Sequence, residues 1–162
     1  MDWFTIMKQA VKTKRITKMK WITEEIVHEY VVDEKTALDI SLIHWHQNKE
    51  MSFDEAKRHV KLKSCPIRAA CCGLCRYHRH VLMTQCRKCP LRLGGFSCYA
   101  HASEYDLVLT AWNNFRKYPL KINFETWILT TTTMFTLLLD ISPYTSFEDM
   151  TEKMPINILK YI

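Results

Sequence analysis

The sequence predicts a mainly α-helical protein with a loop-rich centre organised by cysteines. Apolar residues recur at helical spacing over most of the 162 residues, and only three glycines and five prolines interrupt them. Neither a disordered chain nor a hairpin-rich β-sandwich has this composition. All seven cysteines fall within residues 65–98. We therefore expect a basic amphipathic arm at 1–20 and a single helical domain at 21–162 that contains the cysteine segment 65–101.

The helices after the arm are predicted from capping residues and apolar spacing. Serine, threonine and aspartate side chains cap the first turn of a helix, and Pro66 and Pro155 terminate the third and the last helix. Residues 124–140 contain four consecutive threonines, which favour a strand, but their length and apolar spacing favour a buried helix, which we predict. The five predicted N-caps are Thr23, Asp33, Ser52, Ser103 and Ser146.

Charge is distributed very unevenly along the chain, whose net charge is +6. Residues 57–92 carry ten basic and no acidic residues, whereas residues 21–56 carry nine acidic and two basic ones. Residues 1–20 carry six basic and one acidic residue, and this arm either docks on the core or contacts nucleic acid or a membrane surface. Such asymmetry indicates a charged partner.

The location expected from the sequence is the cytoplasm, without a membrane partner. Lys8 and Lys12 interrupt the apolar stretch that a secretion signal needs. The longest uncharged apolar-rich run, residues 127–139, is 13 residues long, whereas a membrane span needs about 20. In a reducing compartment cysteines bind metal or remain free thiols.

Two C-x2-C pairs separated by ten residues predict a zinc site. Each pair places two thiolates on one tight turn, and two pairs complete a tetrahedron with Zn–S distances of about 2.3 Å. The surrounding basic residues lower the pKa values of the thiols and stabilise the anionic cluster. The predicted ligands are Cys72, Cys75, Cys86 and Cys89.

Several alternatives remain open at this site. The four thiols could be free and buried, or could hold an iron–sulfur cluster. Cys98 or His101 could replace one of the four ligands, while Cys65 and Cys71 are expected to be packed or free thiols. Glycines are expected to supply unusual backbone angles where the chain reverses, at Gly73, Gly94 and Gly95.

A family resemblance rests on the order of several motifs. These are S-L-I-H-W-H-Q-N at residues 41–48, C-G-L-C at 72–75, C-R-K-C-P at 86–90, then Gly95 and Cys98. This order resembles that of small cysteine-rich zinc-knuckle proteins encoded by bacteriophages, over about residues 37–100. The resemblance implies a phage origin, a metal site and expression in the host bacterial cytoplasm, but no particular activity.

No catalytic arrangement is apparent in the sequence. On a helix, His44 and His46 point about 200° apart, which does not suit joint metal ligation, and we expect His44 to pack beneath the cysteine loop. No acidic residue lies between Glu55 and Glu104, so the centre lacks carboxylates for a magnesium site. Phosphate-loop, nucleophile-elbow and dinucleotide motifs are missing. We expect a binding protein rather than an enzyme.

The favoured partner is nucleic acid, in a regulatory or accessory role. Basic residues in 57–92 would neutralise phosphates, and nearby tyrosine and histidine rings would stack on bases. Alternatively, these cations balance the metal cluster and the acidic segment 21–56, or dock on an acidic host enzyme or defence factor. The residues expected to contact the partner are Arg76, His78, Arg79, Arg87, Lys88 and Arg92.

Overall fold

Nine α-helices and one π-helical turn form most of the part that a computed structural model describes, namely residues 21–68, 71–81, 86–96, 98 and 102–162. These ranges contain no β-strand, which confirms the mainly α fold class. The predicted arm at 1–20 lies outside the described residues. The elements are α1 (Glu24–Tyr30), α2 (Glu34–Lys49), α3 (Phe53–Lys61), α4 (Gly73–Arg76), the π-helical turn (Tyr77–Val81), α5 (Pro90–Leu93), α6 (Glu104–Lys117), α7 (Lys121–Asp140), α8 (Phe147–Lys153) and α9 (Ile156–Leu159).

All five predicted N-caps are confirmed. At each of them the side-chain oxygen accepts a hydrogen bond from the backbone N–H three residues later, as an N-cap does. Asp33 with Thr36 and Ser52 with Glu55 form complete capping boxes, in which the later side chain also accepts from the backbone of the cap. Local chemistry therefore sets where α1, α2, α3, α6 and α8 begin.

Helix α2 is the central element, with 11 of its 16 residues buried. It packs against α1, α4 and α7. Its buried polar side chains have partners in distant parts of the chain. Gln47 accepts from the Ile22 N–H at 2.8 Å and donates to the Tyr161 carbonyl at 2.6 Å, while Asp39 accepts from the Tyr144 hydroxyl at 2.6 Å. The helix therefore ties both ends of the described domain to its centre.

Helix α7 confirms the helix predicted for the threonine-rich stretch. The hydroxyls of residues 130–133 each donate to a carbonyl three or four residues earlier, at 2.7–3.1 Å. These bonds satisfy the hydroxyls without leaving the helix. The buried face packs against α2 and α6, and it comprises Trp127, Thr131, Met134, Phe135 and Leu138. Neither α7 nor any other helix in the described ranges has both the length and the apolar character needed to cross a bilayer.

Candidate metal centre

Five cysteine side chains line one small cavity, which we call the thiol cavity: Cys72, Cys75, Cys86, Cys89 and Cys98. Its volume is about 20 Å³, which is room for one water-sized sphere or a single ion. The fold therefore brings the four predicted ligands together with the predicted substitute Cys98. His101 lies outside the described residues, and the half-buried Cys65 and Cys71 are not among the residues described as lining this cavity.

The donor set and the size of the thiol cavity fit one zinc ion. Thiolates are the commonest ligands of structural zinc, and the space suits a single ion rather than a polynuclear cluster. Within the described ranges, no three His, Cys, Asp or Glu side chains are arranged to hold a metal ion. The cysteines thus share a cavity, and their coordination of zinc is a proposal, which is developed below.

Short turns present the two cysteine pairs to the cavity. Cys72 is the N-cap of α4, and Cys89 is the N-cap of α5, with Pro90 at the first helical position. The N–H of Cys89 also donates to the carbonyl of Cys86 at 3.1 Å, which closes the second pair into a turn. At both N-caps, backbone N–H groups of the following residues donate to the thiol sulfur. Such bonds favour the thiolate form that metal binding requires.

The thiols of this cavity differ strongly in acidity. A hydrogen bond from the Cys75 thiol lowers the pKa of Cys72 to about 6, although burial opposes this shift. The same hydrogen bond and burial raise the pKa of Cys75. Burial is the main cause that raises the pKa of Cys98 to about 12, and it also raises the pKa values of Cys86 and Cys89. Cys72 is therefore the first sulfur in the cavity to ionise.

Ser41 of α2 holds the first C-x2-C turn in place. Its hydroxyl donates to the Ala37 carbonyl at 2.8 Å and accepts from the Leu74 N–H at 2.9 Å, and it lies 3.4 Å from the Cys72 sulfur. Gly73 lies against the same helix so closely that a Cβ there would be 2.3 Å from the Ala37 carbonyl oxygen. The sequence analysis did not identify Ser41 as part of the site; the signal was its place at the start of the 41–48 motif.

The prediction for the glycines is correct at one position only. Gly95 has a positive φ of 90°, whereas Gly94 has an ordinary φ of −78°, and Gly73 is required for space rather than for its backbone angle. Instead, Cys86 adopts the left-handed region with φ of 69°. This conformation costs a residue other than glycine about 1–2 kcal/mol. Backbone strain of this kind often accompanies a functional constraint.

The residues expected to contact a partner differ in exposure. His78 is only 1% exposed, and its Nε2 lies 3.9 Å from the Glu34 carboxylate. Burial lowers its pKa. This ring is therefore not presented to a partner at the surface, contrary to the prediction, and Arg76 is half-buried. The remaining four are exposed: Arg79, Arg87, Lys88 and Arg92.

Three exposed cations next to the second cysteine pair, which we call the knuckle cations, are Arg87, Lys88 and Arg92. Within the described part of the chain they make no ion pair, and Arg92 also lines the thiol cavity. Elsewhere in the basic segment, Arg68 lies 3.7 Å from Glu24. The acidic segment 21–56 thus reaches one part of the basic segment and leaves the knuckle cations unneutralised.

His44 occupies the core, as expected from its position on the helix. It is 2% exposed, its ring meets Trp45 edge-on at 5.3 Å between centroids, and its Nε2 has no hydrogen-bond partner within the described ranges. Burial lowers its pKa to about 4. A neutral, enclosed imidazole of this kind has a packing role.

Comparison with known proteins identifies no relative for this chain. No family model, no curated protein and no solved structure matches it. The functional argument therefore depends on the chemistry of the residues themselves.

Proposed function

We propose that this protein is a zinc-binding, nucleic-acid-binding accessory or regulatory factor of the phage type, which acts in the host bacterial cytoplasm. The observation that carries the proposal is the set of three exposed knuckle cations without ion pairs, next to a cavity lined by five thiols. In the proposal the knuckle cations and Arg79 bind phosphates, and one Zn²⁺ is held by Cys72, Cys75, Cys86 and Cys89.

Zinc, when bound, would act as a structural anchor for the two cysteine turns. Four thiolates and one divalent ion leave two net negative charges, which neighbouring cations stabilise. The chain itself contributes the rest of the site: Ser41 fixes the first turn from α2, and the strained Cys86 sets the second turn. Because these features order a surface rather than a reaction centre, they support binding and not catalysis.

The cations are better explained by a phosphate partner than by internal neutralisation. Arg68 shows that this segment forms ion pairs with the acidic segment where the two meet. The knuckle cations, in contrast, remain exposed beside the cavity. Exposed arginine and lysine clusters provide the sequence-independent part of nucleic-acid affinity.

Metal analysis of the purified protein tests the zinc centre. We expect one zinc per chain and a colourless solution, whereas an iron–sulfur cluster would be brown. Cys72→Ser should lose the metal, while the matched variant Cys65→Ser should retain it, because Cys65 is half-buried outside the thiol cavity. Loss of zinc in Cys98→Ser, with retention in Cys86→Ser, would reassign the fourth ligand. Metal-free protein with an intact fold would contradict the proposed centre.

The salt dependence of binding tests the nucleic-acid interface. Each phosphate neutralised on a single strand contributes about 0.7 to the slope of log affinity against log salt. Replacing the knuckle cations by glutamine should therefore reduce this slope by roughly 2. The matched control replaces three other exposed cations, Arg116, Lys117 and Lys121, by glutamine and removes the same charge. Equal effects of the two triple variants, or affinity independent of salt, would refute the interface.

A protein-interaction module is the second candidate. Four large apolar side chains around the start of α7 are 56–68% exposed: Tyr118, Leu120, Ile122 and Leu129. Exposed apolar patches of this kind mark interaction surfaces. Co-purification from nuclease-treated bacterial lysate discriminates between the candidates. A host protein retained after nuclease treatment, and lost in Ile122→Gln/Leu129→Gln, would favour inhibition or redirection of a host enzyme or defence factor.

A further inference from the structure

A second cavity, which we call the side cavity, lies beside the thiol cavity. Its volume is about 140 Å³, and Cys72, Cys75 and Cys98 line both cavities. An apolar cavity of about 150 Å³ holds one benzene ring, so the side cavity has room for a single six-membered ring. Its other walls include aromatic and apolar side chains and two arginines: Trp45, Ile67, Tyr105, Met134, Arg68 and Arg79.

Trp45 gives the buried end of the side cavity a directional polar group. The residue is 1% exposed, and its indole Nε1 is buried without a hydrogen-bond partner in the described part of the chain. An indole N–H can only donate, and buried donors nearly always have an acceptor. The neighbouring Tyr105 hydroxyl already donates to the Ile67 carbonyl at 3.2 Å. A planar ligand with a carbonyl on its edge would satisfy the indole.

The other end of the side cavity is cationic and reaches solvent. The Arg68 side chain is 60% exposed, and Arg79 is also exposed. The 3.7 Å separation between Arg68 and Glu24 is too long for a hydrogen bond. Guanidinium groups bind phosphates with paired hydrogen bonds. A ligand with both a small planar ring and a phosphate therefore matches the two ends of the cavity.

We infer that the side cavity takes one unstacked pyrimidine base of a single-stranded nucleic acid. The Trp45 N–H donates to a base carbonyl, and Arg68 and Arg79 contact the adjoining phosphate. This inference rests on the proposed function and narrows it. A base within a duplex is paired and stacked and cannot enter the cavity, and a purine, with its two fused rings, is larger than a cavity sized for one ring.

Equilibrium binding of labelled hexanucleotides to the full-length, zinc-loaded protein tests the inference. We expect a thymidine hexanucleotide to bind about tenfold more tightly than an adenosine hexanucleotide, since one well-placed base–aromatic contact accounts for about this ratio. A duplex of the two strands should bind without this selectivity and with the salt dependence of a purely phosphate-directed contact.

Substitutions in the wall separate recognition from folding. Trp45→Phe keeps an aromatic ring and removes the N–H, so the preference for thymidine should fall about fivefold. Trp127→Phe is the matched control, because its indole N–H is equally buried and unpartnered in the described part of the chain but its side chain is not among those described as lining the side cavity. Met134→Phe places a ring in the cavity and should abolish the preference while leaving salt-dependent binding.

The outcomes distinguish this inference from the proposed function. Equal affinities for the two hexanucleotides, with a steep salt dependence, would overturn the base site and leave nucleic-acid binding in place. Equal losses in Trp45→Phe and Trp127→Phe would show a purely structural role for Trp45 and would also overturn the base site. No salt-dependent binding to either hexanucleotide would overturn both.

Discussion

The contact between Gly73 and helix α2 yields the sharpest test of how the cysteine turn is held. A methyl group at Gly73 would place its carbon 2.3 Å from the Ala37 carbonyl oxygen, 1.1 Å inside the 3.4 Å at which ordinary contact begins. The obstacle is backbone of the central helix, so the turn itself must move by about 1 Å. That movement would stretch the 2.9 Å bond from the Leu74 N–H to Ser41 beyond hydrogen-bonding distance.

The expected cost of Gly73→Ala is large for a single methyl group. Overpacking a rigid core costs about 1–3 kcal/mol, and a buried N–H without an acceptor adds about 1–3 kcal/mol. We therefore expect a loss of about 3 kcal/mol or more in the free energy of unfolding, measured by urea titration with tryptophan fluorescence at fixed zinc concentration. Zinc affinity should fall with it, because the first cysteine pair moves with the turn.

Gly94→Ala is the matched control for this experiment. Its added carbon would lie 3.3 Å from the Pro90 carbonyl oxygen, and the backbone φ of −78° suits alanine. We expect an unfolding free energy within about 1 kcal/mol of the wild type. If the two alanine variants unfold at similar urea concentrations with unchanged slopes, the turn does not depend on close packing against α2, and the reasoning fails.

Three further substitutions probe buried polar groups. Ser41→Ala should cost about 2 kcal/mol and weaken zinc binding about tenfold, whereas Thr131→Val, which removes a buried hydroxyl bonded within its own helix, should do neither. Tyr144→Phe removes a 2.6 Å bond to Asp39 and should cost about 2 kcal/mol by urea titration. Burial and Asp39 raise the pKa of Tyr144, so this stabilisation is complete below about pH 10 and is lost above it. His44, whose pKa burial lowers from 6.5 to about 4, stabilises the fold above pH 6.5 and loses about 2 kcal/mol by pH 4.5; in His44→Phe this acid slope should disappear, and an unchanged slope would contradict its burial as a neutral ring.

The helices with side-chain caps could be predicted from the sequence because their signals are local. A capping side chain acts within three residues, as at Asp33 and Ser52. The helical state of α7 also followed from spacing and length, although its threonines favour a strand. The short helix α9 was not predicted, because it carries no side-chain cap and is four residues long.

The burial of α2 could not be predicted from its pattern. An apolar face with Leu38, Leu42 and Trp45 suggested a helix exposed on one side, yet Asp39 and Gln47 on other faces are also buried. Their partners lie about one hundred residues away, at Tyr144 and Tyr161. Periodicity reports the polarity of neighbours in sequence and contains no information on such distant partners.

The site was predictable in its donors and unpredictable in its support. The spacing of the cysteines identified the residues that now share the thiol cavity, because two C-x2-C pairs imply convergence. Ser41 and the space requirement at Gly73 depend on contact with a separate helix. The burial of His78 likewise depends on how the π-helical turn lies against its neighbours, which the local run of basic and aromatic residues did not reveal.

The role of α2 links the fold to the proposed function. One helix carries Asp39 and Gln47, which bind the C-terminal region, Ser41, which fixes the first cysteine turn, and Trp45, which lines the side cavity. A metal that orders the cysteine turns would therefore also order one wall of the base site, through the shared Cys72. Binding of a single strand and binding of zinc should consequently favour each other, because a ligand that binds only the ordered state stabilises that state.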